Sequence, residues 1–161
     1  MGEKMDKQKM VELISSKIKL IRIEKGYTQD RMAEVIGISK KTLVQIEKGR
    51  TTAGWTNTIA ICALFRDSDI LYAALGDDPL IIIETLAHNH TYTSKDKTLG
   101  GKVWWKQVKE QGDFRLQQNI ISQHYRILDA NDYRWFSSFE KEEALDQLGK
   151  LAHEYTDERS V

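Results

Sequence analysis

The chain has 161 residues, 40% hydrophobic and 30% charged, with four Trp, which suits one domain or two small ones with a packed core and excludes wholesale disorder. Its 24 Lys/Arg balance 24 Asp/Glu, yet residues 1–66 hold 13 against 7 and residues 67–161 hold 11 against 17, so any nucleic-acid surface is local and belongs to the first part. The longest apolar runs, Ile59 to Phe65 and Leu80 to Ile83, fall far short of the roughly 20 residues of a membrane span, so no membrane association is expected.

Met1 to Met10 is Lys-rich without an apolar segment, and no secretory signal is expected there. From Val11 to about Gly76 the apolar spacing is helical. Leu13, Ile14, Ile18 and Ile21 form one stripe that ends at Lys25-Gly26, a cation followed by a helix-stop glycine. Thr28 is placed to cap a second helix with Met32, Ala33 and Ile36 inward and Gly37 at its end. Ser39 caps a third, with Leu43 and Ile46 inward and Gly49 closing it. The short connection Gly37-Ile38-Ser39-Lys40 makes helices two and three a helix-turn-helix. Ala33 is small where they cross, Gly37 permits a positive φ, and Ile38, Leu43 and Ile46 fill the angle. The outer side of helix three then carries Lys40, Lys41, Thr42, Gln45 and Lys48, where a B-DNA major groove would receive the first-turn side chains. A fourth run, Ile59 to Phe65, is apolar all round and is expected to be covered on both sides. It holds the single cysteine, Cys62, which reads as a reduced core residue of a cytosolic protein. A fifth, Ile70 to Leu75, completes an all-α unit.

Pro79 fits the first turn of a short helix, Leu80 to Ala87, and residues 88–101 read as a polar linker ending in Gly100-Gly101. Beyond it the period becomes two. Phe114, Leu116 and Ile120 alternate with Arg115, Gln117 and Asn119 as in a half-buried strand. Val103 to Val108, Tyr125 to Leu128 and Tyr133 to Phe139 read as further strands, joined by turns at Gln111-Gly112-Asp113 and Ala130-Asn131-Asp132. A helix from about Glu140 to Tyr155, with Leu145, Leu148, Leu151 and Ala152 on one face, closes the chain. One helix covers one face of a small sheet. The wealth of aromatics, including Trp104, Trp105 and Trp135, therefore points to a second covering for the other face: a second subunit, the expected one, or else the helical half or a ligand. His88, His90, His124 and His153 share no ligand spacing with Cys62, and no nucleophile and base fall together. No cofactor, metal or catalytic role is expected.

The string Thr28-Gln29-x3-Ala33-x3-Gly37-Ile38-Ser39-x2-Thr42-Leu43-x2-Ile46-Glu47-x-Gly49-Arg50 resembles the lambda-repressor-like, Cro-type (Xre) helix-turn-helix family over roughly residues 14–75. The resemblance implies a five-helix DNA-binding domain over residues 1–76. A helix and linker over 77–101 and a small α+β unit over 102–161, a dimerisation or effector domain, would follow. It implies base readout by Lys40, Lys41 and Gln45, and phosphate contacts from Gln29, Thr42, Lys48, Arg50 and Thr51. By the same resemblance, Arg22 and Glu47 match two positions that form an ion pair in some members. The expected function is a cytoplasmic, non-enzymatic regulator, a repressor or autoregulator, binding a two-fold double-stranded DNA operator as a homodimer. The alternatives are an antitoxin that masks a toxin while binding its own promoter, and a regulator whose acidic half senses a protein or small-molecule effector. One departure from the family is that Ala53-Gly54-Trp55 stands where it often has Pro-Ser, which leaves the register of helix four open.

Overall fold

The structure, a computed structural model, describes residues 4–91, 96–97 and 104–157. Two compact units divide the chain, one over Asp6–Ile83 and one from Glu84 onward.

The first unit is helical: α1 (Lys7–Glu24), α2 (Gln29–Ile36), α3 (Lys40–Glu47), α4 (Gly54–Leu64), α5 (Asp69–Leu75), and the start of α6 (Pro79–His88). Helix α1 begins a turn earlier than the apolar stripe suggests, because the Asp6 side chain accepts the Lys9 amide and caps it. Its inner face is Met10, Ile14, Ile18 and Ile21, all without solvent exposure, while Leu13 is only half-buried. This face packs on α3, α4 and α5. Each fully buried side chain of this size stabilises the fold by about 1.5–3 kcal/mol before entropy is counted.

Two polar side chains of α1 complete other helices. The Ser15 hydroxyl accepts the amide of Ala53, the N-cap residue of α4, at 2.9 Å and so ties the start of that helix to α1. Glu24 accepts from the Ser68 hydroxyl and from the amides of Asp69 and Ile70, so its carboxylate sits on the positive end of α5. The expectation that α4 is covered all round is corrected. Helical spacing buries Thr58, Ile61, Cys62 and, just past the helix, Phe65, and it leaves Ala63 and Leu64 exposed.

The second unit contains β1 (His90–Thr91), β2 (Asp96–Lys97), β3 (Trp105–Gln111), β4 (Phe114–Asn119), β5 (Tyr125–Leu128), β6 (Tyr133–Ser138) and α7 (Lys141–Asp157). The sheet is antiparallel in the order β1-β6-β5-β4-β3, with β2 also on β6. The stretch read as a linker thus contributes two short strands to the sheet edge. His88 ends α6, while residues 92–95 and 98–101, Gly100-Gly101 included, lie outside the described residues, as does Val103, where the first strand was expected to begin. Asn119 and Ile120 exchange the places the alternation gives them. The strand ends at Asn119, whose buried side chain accepts the Ile121 and Ser122 amides, and this turn turns Ile120 out to solvent.

Helix α7 packs on the sheet with Ala144, Leu148 and Leu151 against Phe114, Leu116, Tyr125, Ile127 and Phe136. The opposite face is polar: Gln117, Arg126, Arg134 and Ser137 are all buried, and Arg126 donates to Gln117 at 2.9 Å while its guanidinium lies over Trp105. A bulge shifts the β5–β6 register between Ile127 and Leu128, with Trp135 as the extra residue, and this places Trp135 beside the α7-facing cluster. Among the described residues no helix is long and apolar enough to cross a membrane.

Candidate nucleic-acid interface

The interface is built by three helices of the first unit. Thr28 and Ser39 cap α2 and α3 through their side-chain oxygens, accepting from Arg31 and Thr42 respectively. Between them Gly37 takes φ 87°, a left-handed conformation that lets α3 depart at once from α2. Leu43 and Ile46 are buried at the crossing, Ala33 is the small residue there, and Ile38 is half-buried.

The inward anchoring of Leu43 and Ile46 fixes what α3 shows outside. Lys40, Lys41 and Thr42 are exposed on its first turn, Val44 and Gln45 are half-buried, and Lys48, Arg50 and Thr51 follow as exposed residues at its end. The Thr42 hydroxyl and the Ser39 hydroxyl lie 2.8 Å apart, so Thr42 is engaged with the cap. Lys40 pairs with Asp30 at 2.9 Å across the turn, with both side chains more than half exposed. Among the described residues Lys41 and Arg50 have no side-chain partner and are free to meet acceptors. The chemistry of the set suits DNA: ammonium groups donate to guanine O6 and N7, and a Gln amide pairs with adenine N6 and N7.

Behind this surface sits Glu47, whose side chain is only 4% exposed. One of its oxygens accepts from Arg22 Nε of α1 at 2.6 Å, the other from Gln29 Nε2 of α2 at 2.7 Å. Arg22 also donates through Nη1 to the Tyr27 carbonyl in the α1–α2 turn. A single carboxylate thus ties α1, α2 and α3 together. The arrangement brings Arg22 and Glu47 into contact and adds Gln29, which gives one of its two amide hydrogens here. The sequence reading missed this third member, and it missed Asp30 as the partner of Lys40. Separations of 18 and 10 residues across a turn leave no periodic trace in a sequence.

Residues 16–69 match the family described as Helix-turn-helix domain. An uncharacterized HTH-type transcriptional regulator of Bacillus subtilis (strain 168), YgzD, is 31% identical over 52 residues, which are 32% of this chain and 79% of that protein. The chain belongs to the helix-turn-helix family of DNA-binding proteins. No solved structure matches it. Within this helix-turn-helix protein the matched stretch runs from the second half of α1 into the first residue of α5, so it takes in the whole surface built above.

Proposed function

We propose that the chain is a cytoplasmic repressor or autoregulator that binds a two-fold operator in double-stranded DNA as a homodimer. Lys40, Lys41 and Gln45 read base edges, and Gln29, Thr42, Lys48, Arg50 and Thr51 hold the backbone. The observation that carries this reading is the exposed first turn of α3, held in one orientation by the Glu47 clamp, with Lys41 unengaged. For Lys40, readout means leaving Asp30. That exposed pair is worth about 0–1 kcal/mol, less than the roughly 1–3 kcal/mol of a good base contact. One such helix reads only a few base pairs, and a second copy one helical turn away makes the next contact intramolecular. Residues 102–161 are assigned to holding that second copy.

Selection of bound fragments from random DNA with the full chain and with Lys41→Ala tests the reading. The full chain selects a palindromic motif, and Lys41→Ala loses preference at one base position in each half-site with about 1–3 kcal/mol of affinity. An unchanged motif assigns readout elsewhere. Sedimentation of the full chain as a monomer at micromolar concentration removes the dimer from the proposal.

A further inference from the structure

The second unit contains a cavity of about 320 Å³ lined by Asp113, Phe114, Asp129, Trp135 and Tyr155 together with Ala130 and Asn131. Its aromatic walls come from three elements: Phe114 from β4, Trp135 from β6 and Tyr155 from the last turn of α7. Ring centroids lie 5.5 Å apart for Phe114 and Trp135, 5.0 Å for Trp135 and Tyr155, and 5.8 Å for Phe114 and Tyr155, with interplanar angles of 88°, 74° and 57°. The three rings therefore pack edge to face or tilted against one another rather than in a stack, with Phe114 the most buried of them. The bulge in β6 is what brings Trp135 into this cluster.

The rim is electronegative. Asp129 accepts the Asn131 and Tyr133 amides through one oxygen and the Trp135 indole N–H at 2.9 Å through the other, so it fixes both the turn and the indole wall. Asp113 is exposed at the β3–β4 turn. The last turn of α7 carries no basic side chain, and its carbonyl end is the negative pole of the helix. Arg115 is engaged by Asp132 and the Asp129 carbonyl, and among the described residues no cationic side chain lines the cavity.

The geometry points to a binding site for a small organic cation bearing a trimethylammonium or similarly alkylated ammonium group. Aromatic rings attract such a charge through their quadrupoles, the alkyl groups match the apolar walls, and Asp129 supplies counter-charge beside the Asp113 rim. A compact inorganic cation gains less, because aromatic walls do not replace its hydration shell. The cavity volume suits one small molecule. The inference uses the second unit alone and stands apart from the DNA reading.

Choline chloride is the probe, titrated into the full ¹⁵N-labelled chain with sodium chloride as the matched control. The Trp135 indole resonance is expected to shift saturably while those of Trp55, Trp104 and Trp105 stay in place. The uncharged carbon isostere of choline, with tert-butyl in place of trimethylammonium, is expected to bind at least about tenfold more weakly. Tyr155→Leu should weaken choline binding about tenfold, and Asp113→Asn, at an exposed position that leaves the core intact, about threefold. The proposal is overturned by a Trp135 resonance that does not respond, by four indoles that drift together, by equal binding of the isostere, or by Asp113→Asn binding like the parent.

Discussion

Glu47 is the residue whose removal tests the helical scaffold most directly. Its side chain is 4% exposed and that of Arg22 15%, so Glu47→Ala strands a largely buried guanidinium and frees the Gln29 amide. Removing one partner of a buried pair costs about 3–5 kcal/mol. Arg22 keeps its bond to the Tyr27 carbonyl and some contact with water, which puts this case at the low end, about 3 kcal/mol. Glu47→Gln preserves the shape but loses the charge and turns one of the two accepting oxygens into a donor, for about 1–3 kcal/mol. With Arg22→Met as the second mutation, a double-mutant cycle should return a coupling of about 2 kcal/mol. Because two units share the chain, a single global transition is a poor gauge. The indole resonance of Trp55, the one tryptophan between Asp6 and Ile83, reports the helical unit through a urea titration. At about 1–3 kcal/mol per molar urea, Glu47→Ala lowers the Trp55 midpoint by about 1–3 M. A coupling below about 0.5 kcal/mol would refute the reasoning, since Arg22 and Glu47 would then be neighbours and not partners.

Arg50→Ala removes an exposed cation beyond the end of α3, so it should weaken every DNA sequence alike and lower the salt slope of binding by about one, measured as affinity against salt concentration. Burial, with a smaller contribution from Asp78, pushes the Cys62 thiol up to about 12. At pH 8 the folded chain therefore presents almost no thiolate. Iodoacetamide should leave Cys62 unmodified until urea unfolds the helical unit, a difference that mass spectrometry reads directly.

What the sequence made legible was local. Thr28 and Ser39 as caps, Gly37 as the left-handed stop, and Leu43 and Ile46 as the inner face of α3 all follow from spacing within a turn or two, and these residues orient the candidate interface. The start of α1 was displaced because Asp6, not the first apolar residue, begins the helix. Strand β1 escaped notice because two residues carry no alternation; they are ordered by pairing with Ser138 and Ser137 of β6. The all-round apolar character of α4 misled because composition does not say which apolar side chains find partners, and Leu64 finds few. The aromatic cluster was invisible for a different reason. Its three walls lie up to 41 positions apart, from Phe114 to Tyr155, and meet only because a bulge re-aims Trp135.

The Lys40–Asp30 pair separates two properties that DNA-binding surfaces usually carry on the same residues. Asp30 is exposed in the first turn of α2, beside the start of α3, and its charge opposes any polyanion that approaches, whatever the base order. A change at this position alters the general grip on the backbone while leaving every proposed base-reading side chain in place. Over generations the proposed grip on DNA can therefore drift tighter or looser through one carboxylate, with every proposed base-reading residue itself unchanged.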